Sequence, residues 1–478
     1  MQTGDEYFDS NEFKHILNDY EKSVKEGQPI FMDIDELIDI ADYYNLCGEK
    51  NKATIVLNTA LELNPGATLP LVFKAREAIA NEDIETAKRY ANEITDKNDY
   101  EYIILKAEIM VAQDKIDSAD KYLRKIFSST EANDVEDFIY DITSMYIEYG
   151  VYDKAYEWIS ECRDIDNTEC LELRGKSLIG IGKYDDGIVI FEKLLDLNPR
   201  SSKYWEELAN AQYLNDEYND AITSCEYSLA LNPQAQGSLL IKANCLCKLG
   251  NFKVAFDYYN RYNNVAPQDG YSEMCLGTVL LHLSQYDEAL VHLQKAIQQS
   301  DEHNTDQIQQ IYETLAFAYC SLCIYDKAIE CVEKVNIDEN DIEGTAEKLL
   351  IKGHILLESG QAQKAEAMFR DAIIKSSNSP KIILRVIVSL MDNNYTDIAY
   401  NMFKIYFSMM GDTNEGYSYM ALCCWELQKN EEFLTYFKKA IINNPLEVKN
   451  VLSAIIPTGM TPTEFLKEIN EQINRYRK

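Results

Sequence analysis

Glycine and proline are scarce, at 19 and 10 of 478 residues. That leaves little material for β-turns and favours helices. Basic residues are also few, 46 Lys and Arg against 80 Asp and Glu, for a net charge of −34. Phosphate backbones and anionic lipid heads are held by clustered Lys and Arg, so this balance argues against nucleic acid and membrane surfaces. Neutral or basic partners fit it better. No stretch approaches the ~18–20 uninterrupted apolar residues of a membrane span. The most apolar run, IILRVIVSLM, is short and interrupted by Arg385. The acidic start, MQTGDEYFDSNEF, lacks the basic and apolar regions of a signal peptide. Twelve cysteines in so long a chain are too sparse for a disulfide-stapled scaffold. These absences together point to the cytoplasm.

Chemistry-bearing constellations are missing too. The five histidines, His15, His282, His292, His303 and His354, are scattered, with no HExxH and no Ser/His/Asp order. Cys245 with Cys247, and Cys320 with Cys323, lack the second pair that zinc needs and the strand–helix setting of a redox motif. They read as buried, reduced thiols. GIGK, Gly180 to Lys183, has no preceding strand and reads as a turn rather than a phosphate loop. The run NIDENDIEGTAE, Asn336 to Glu347, places Asp338, Asn340 and Glu347 at spacings like a calcium loop. Its sixth position, however, is Asp341 rather than Gly, so an inserted solvated loop is the better reading. Neither metal nor cofactor is expected, and no enzyme.

What the chain has is apolar material, 46% hydrophobic and 11% aromatic, at a length beyond one ordinary core. It also repeats itself. LDLNP ends at Pro199, LALNP at Pro233, LELNP at Pro65 and the worn INNP at Pro445. Taking Ala221 as anchor, the matching positions are Ala53, Ala87, Ala119, Ala155, Gly187, Ala221, Ala255, Ala289, Ala328, Ala365, Ala399 and Phe433. Twelve residues upstream of each lies a second, mostly small one: Ala41, Ala75, Ala107, Thr143, Gly175, Ala209, Ala243, Gly277, Ala316, Gly353, Ile387 and Ala421. Two small residues separated by a turn let two antiparallel helices approach closely. Proline cannot continue a helix, so LNP punctuates the units. The reading is an all-α chain of twelve helical hairpins.

These residues resemble the tetratricopeptide repeat (TPR) family. Trp205, Leu208, Ala209, Ala221 and Pro233 fit its pattern, as do Gly277, Leu280, Tyr286, Ala289, Leu293 and Ala296, and Ala41, Tyr44, Ala53, Leu57, Ala60 and Pro65. The resemblance implies an α-solenoid, a right-handed superhelix spanning residues 34–446, with softer joints near 129–135, 300–308 and 336–345. Ile387 and Phe433 depart from the pattern, and the second helix at Ala87 is weak, so those units should pack less regularly. Capping segments flank the stack at 1–33 and 447–478. In the first, Phe13, Ile16, Leu17, Tyr20 and Val24 share a helical face stopped by Gly27. In the second, Thr461, Pro462 and Glu464 start a helix carrying Phe465, Ile469, Ile473 and Tyr476, with Lys467, Arg475, Arg477 and Lys478 solvated.

In the resembled family the first helices line a concave side along which partners lie. Carried over by phase, that side includes Asp35, Asp39, Asp42, Asn45, Arg76, Glu101, Glu108, Asp137, Tyr140, Asp141, Glu169, Glu172, Lys176, Glu206, Asn210, Tyr213 and Asn244. Acids dominate it, and the cations Arg76, Lys176, Lys203 and Arg385 stand isolated. No three consecutive units supply the Lys/Asn/Arg clamp with which some members grip a terminal carboxylate. Two readings follow. One is a non-enzymatic scaffold holding a basic or polar protein segment on the concave face. The other is a self-associating protein, pairing through the solenoid end around Ile387, Phe433 and an exposed Trp425. Monomer and dimer remain open at this point.

Overall fold

The computed structural model describes residues 7–8, 10–27, 30, 32–128, 135–266, 270–301, 304–335, 337, 341–411, 413–457 and 459–476; at residue 11 and from 472 onward only the backbone is described. Among these residues there are helices and turns and no strand. Twelve helical hairpins follow one another, from Ile34–Leu46 with Lys50–Leu63 to Tyr417–Glu426 with Asn430–Asn443. The chain divides into two compact units, Met1–Asn215 and Asp216–Lys478. Within each unit a helix packs chiefly against its hairpin partner and the next helix along the chain, the nearest-neighbour pattern of an α-solenoid. No helix among the described residues is long and apolar enough to cross a membrane.

The repeat phase survives in detail. All twelve anchors and all twelve upstream positions lie in helices and are buried. At Gly277 the reason for smallness is direct: a Cβ there would stand 2.5 Å from Leu293 Cγ. Every second helix starts three residues before its anchor. Five residues before each anchor, in all twelve hairpin turns, stands a residue with positive φ. Five of these are glycine (48, 150, 182, 250 and 360). The other seven are Glu82, Asp114, Asp216, Ser284, Cys323, Asn394 and Gln428. A left-handed residue closes the first helix and reverses the chain, and packing on both sides holds even a side chain with a Cβ there. LNP acts as the spacing requires: the helices Lys50–Leu63, Tyr184–Leu197 and Tyr218–Leu231 stop before the Asn. Pro445 instead opens a helix, Pro445–Leu452.

Three expectations need correction. Ile387 and Phe433 do not loosen their units: both are fully buried and the turns around them keep the common register. Trp425 is not exposed either, since its ring lies 5.1 Å from Phe433 and 6.0 Å from Phe465 of the C-terminal helix Pro462–Tyr476. The weak second helix at Ala87 forms, in phase, as the ten-residue Ile84–Glu93.

The flanking helices pack as lids at their own ends. Ser10 caps Asn11–Glu26, Gly27 ends it at φ +64°, and Phe13 and Tyr20 are buried, whereas Val24 is exposed and leaves the expected stripe. Thr461 and Glu464 form the expected reciprocal cap: the Thr461 amide donates to Glu464 Oε2 at 2.8 Å and the Glu464 amide to Thr461 Oγ1 at 3.3 Å. Phe465 is buried. The side chains of Ile473, Arg475 and Tyr476, and residues 477–478, lie outside the described part. So do parts of the three joint segments, residues 129–134, 302–303, 336 and 338–340.

Candidate functional site: the face of the first helices

The first helices of neighbouring hairpins repeat about 34 residues apart, so polar residues on one face recur within reach of each other. In the first unit they link up. Arg76, on Thr68–Ala80, donates to both carboxylate oxygens of Glu108, on Tyr100–Val111, at 2.8–3.1 Å. It also reaches Glu101 at 3.3 Å. The Tyr100 hydroxyl donates to Asp141, on Val135–Glu148, at 2.7 Å. Glu172, on Thr168–Gly180, takes Lys176 at 2.9 Å and Lys203 of the next first helix, Ser202–Leu214, at 2.7 Å, while Lys176 reaches Glu207 at 3.5 Å. Burial opposes charge on Glu172, but the two lysines outweigh it and hold its pKa below the usual range.

The cations of this face are therefore not isolated, as the sequence suggests, but neutralised by neighbouring hairpins. In the second unit Lys381 meets Glu343 at 2.7 Å and Glu347 at 3.2 Å, and Arg385 meets Glu347 at 2.9 Å. Glu347 is thereby engaged, and Asp341 caps the helix Ile342–Glu358 by accepting the Gly344 amide. The two described members of the calcium-like run thus have structural work; Asp338 and Asn340 lie outside the described residues.

The residues proposed for a partner fall into two groups. Glu108 and Tyr140 are buried, at 5% exposure each. Glu108 is held by Arg76, and the Tyr140 hydroxyl lies 3.5 Å from Cys162 Sγ and 3.4 Å from Glu136. These two support the face from beneath rather than present themselves on it. Asn244 accepts the Tyr259 hydroxyl at 2.6 Å. Asp39 accepts the Tyr7 hydroxyl, a bond that with burial pushes that phenol up to about 12. Nearer to solvent are Asp35, Asn45, Asp137 and Asp141, all exposed, with Asp42, Glu206, Asn210 and Tyr213 half-buried. Burial, then the charge of Asp39, raises the pKa of Asp42. Burial, then the charges of Asp141 and Asp137, raises that of Glu169. No described cation forms an ion pair with Asp137, Asp141 or Glu169.

Continuing the same phase beyond Asn244 reaches residues that were not singled out. Met274 and Thr278 on Tyr271–His282, and Glu313 on Thr305–Ser321, line a cleft of about 610 Å³ in the second unit, with Phe252, Tyr259 and His282. The Phe252 and His282 rings stack 4.3 Å apart, and burial lowers the pKa of His282, keeping it neutral at pH 7. The cleft's signal was in the repeat: the position occupied by Glu172 and Glu206 in earlier hairpins is Met274 here.

The cysteines are dispersed, and among the described residues no group of His, Cys, Asp and Glu could hold a metal ion. Cys320 is buried but Cys323 is exposed at a left-handed turn position, so the CxxC pair is split. Burial pushes Cys245, Cys423 and Cys424 up to about 12. A thiol reagent at pH 8 should therefore label Cys47 and Cys323 within minutes, and the buried thiols only after denaturation, as peptide mapping of the labelled chain would show. Prompt native labelling of Cys423 would contradict the packing.

Comparison with known proteins places these features. A model of the tetratricopeptide repeat matches residues 173–236. A model described as anaphase-promoting complex, cyclosome, subunit 3 matches residues 214–296. A search of curated protein sequences returns no match. Among solved structures, the hetero-tetramer Cut9–Hcn1 of the APC/C aligns at 12% identity over 93% of each chain, with a TM-score of 0.36. A tetratricopeptide repeat protein from Parabacteroides merdae aligns at 17% identity over 53% of this chain and 98% of its own, with a TM-score of 0.41. YrrB, described as a TPR protein with an unusual peptide-binding site, aligns at 22% identity over 40% and 95%, with a TM-score of 0.32. With twelve hairpins in one register and family models matching across the fifth to eighth of them, the chain is a tetratricopeptide repeat protein.

Proposed function

We propose that the first-helix face of the first unit, on the concave side of the stack, holds an extended basic segment of a partner protein. Tetratricopeptide repeat proteins are in general non-enzymatic scaffolds for protein–protein interaction, and the fold of this chain supports that reading. The finer reading rests on one observation. Along this face the cations are consumed by ion pairs between hairpins, while Asp137, Asp141 and Glu169, on two successive first helices, stand without a described cation. Like charges held near one another on an exposed face cost some free energy, which an arriving Lys or Arg relieves. In the second unit, the cleft beside Phe252 and His282 takes an apolar side chain of a bound segment.

The test is fluorescence anisotropy of a labelled lysine-rich decapeptide, at 50 and 200 mM salt. Binding should weaken with salt, and D137N/D141N/E169Q should lower affinity about tenfold, equivalent to ~1.4 kcal/mol. The sign of the pH effect follows: protonation removes the attraction, so affinity falls as pH drops, and the raised pKa of Glu169 starts the fall above the ordinary carboxylate range. Equal binding by parent and triple variant would overturn this reading.

A further inference from the structure

The second helix of the eleventh hairpin, Thr396–Met410, buries Ala399, Tyr400, Phe403 and Tyr406 and turns a different stripe outward. Ile398, Ile405 and Met409 are 50%, 60% and 56% exposed. With the half-buried Met402 they follow one another at steps of four, three and four, which aligns them along one side of the helix. The helix carries one acid, Asp397, and one base, Lys404. On the second helices before and after it, Ile374 and Ile442, each nine residues past its anchor, are 65% and 69% exposed. On the other second helices the described exposed apolar residues form no run this long: the sixth hairpin shows Tyr227 and Leu231, four residues apart, and the fifth Val189 and Leu197, eight apart.

Charge says what such a stripe meets. Residues 380–452 contain seven Lys or Arg and eight Asp or Glu, a net of −1, in a chain whose 46 bases and 80 acids sum to −34. Two copies approaching through most of the surface would repel one another; through this segment they do not.

We propose that two copies of the chain pair through the Thr396–Met410 stripe about a two-fold axis. Antiparallel pairing places Ile398 of one copy against Met409 of the other, and Met402 against Ile405. The four–three spacing matches that of packed helices, and a two-fold contact uses the same patch twice. One helix face with two flanking side chains is smaller than a standard interface, so the dimer is weak, in the micromolar range. The stripe lies on second helices, and this pairing does not depend on the docking of a basic segment on first helices.

Sedimentation equilibrium of the full chain from 1 to 200 μM tests it. The parent should pass from the 54.9 kDa monomer toward twice that mass, and added salt should strengthen the pairing, opposite to its effect on a basic peptide. I405D and, separately, M409D should weaken self-association at least tenfold while leaving the thermal melt and the lysine-peptide affinity unchanged, since both side chains already face solvent. A parent that stays monomeric to 200 μM, or a dimer indifferent to both variants, would overturn the proposal and leave the stripe to a different protein.

Discussion

Replacing Trp158 by Ala should lower the stability of the first unit by about 3–5 kcal/mol, the largest loss expected from a single side chain here. The indole is fully buried. It meets Phe127 edge-on at 5.3 Å and Phe138 at 6.3 Å, so it joins the second helix of the third hairpin to both helices of the fourth. Its Nε1 donates to Asp120 at 2.8 Å, and the Arg124 guanidinium lies 3.8 Å from the ring centre. Truncation would open a cavity among residues fixed on three helices, which cannot collapse to fill it, and would strip Asp120 of a donor. The helix bearing Trp158, Tyr152–Ile159, is only eight residues long and cannot persist without that packing. Trp158→Phe, which keeps most of the apolar contact and loses the hydrogen bond, should cost about 1–2 kcal/mol. Hydrogen exchange should locate the damage: amides in the third to fifth hairpins lose protection while those of the second unit keep theirs. Uniform loss along the chain would contradict nearest-neighbour coupling.

The second large effect belongs to Arg76. Its replacement by Leu leaves the Glu108 carboxylate, 7% exposed, without the guanidinium that now binds both its oxygens. Breaking a fully buried pair costs about 3–5 kcal/mol. Arg76 is itself 45% exposed, so water reaches the vacated space and the expected loss is about 2–3 kcal/mol. Removing both partners, as R76L/E108L, should recover most of it, because the penalty comes from the stranded charge. Denaturant melts of the two single variants and the double variant give the coupling directly. Should the double variant be as unstable as R76L alone, the pair would not be what holds Glu108. The consequence for function is that Glu108 is a poor place to probe partner binding, since its loss disturbs the fold. Asp137, Asp141 and Glu169 can be neutralised without touching a described ion pair.

How much was legible in the sequence can be judged at particular residues. The two small positions per hairpin, the LNP stops and the two terminal caps were visible because each acts through local sterics: a helix radius, a missing amide hydrogen, a side chain reaching back three residues. The left-handed turn residue was visible only where it is Gly. Glu82, Ser284 and Gln428 adopt the same conformation because the helices on either side dictate it, and nothing in their side chains announces that. Phase placed Arg76, Glu101 and Glu108 on neighbouring helices, yet could not tell an ion pair beneath the face from three charges upon it. It likewise listed Asp137 and Asp141 beside Tyr140 without distinguishing exposed from buried.

By itself, then, the sequence determined the all-α class, the number of hairpins, the residue that anchors each second helix and which small residues face inward. Those properties repeat every 34 or so positions and depend on backbone geometry within a single hairpin. The tertiary structure alone decided which charges cancel, which carboxylates stand without a described cation, that Met274 and Glu313 share a cleft, and that Phe465 packs on Trp425 while Ile405 is left to solvent. Each of those outcomes turns on contacts between residues of different helices, where a helical phase permits many pairings and burial and side-chain packing select one.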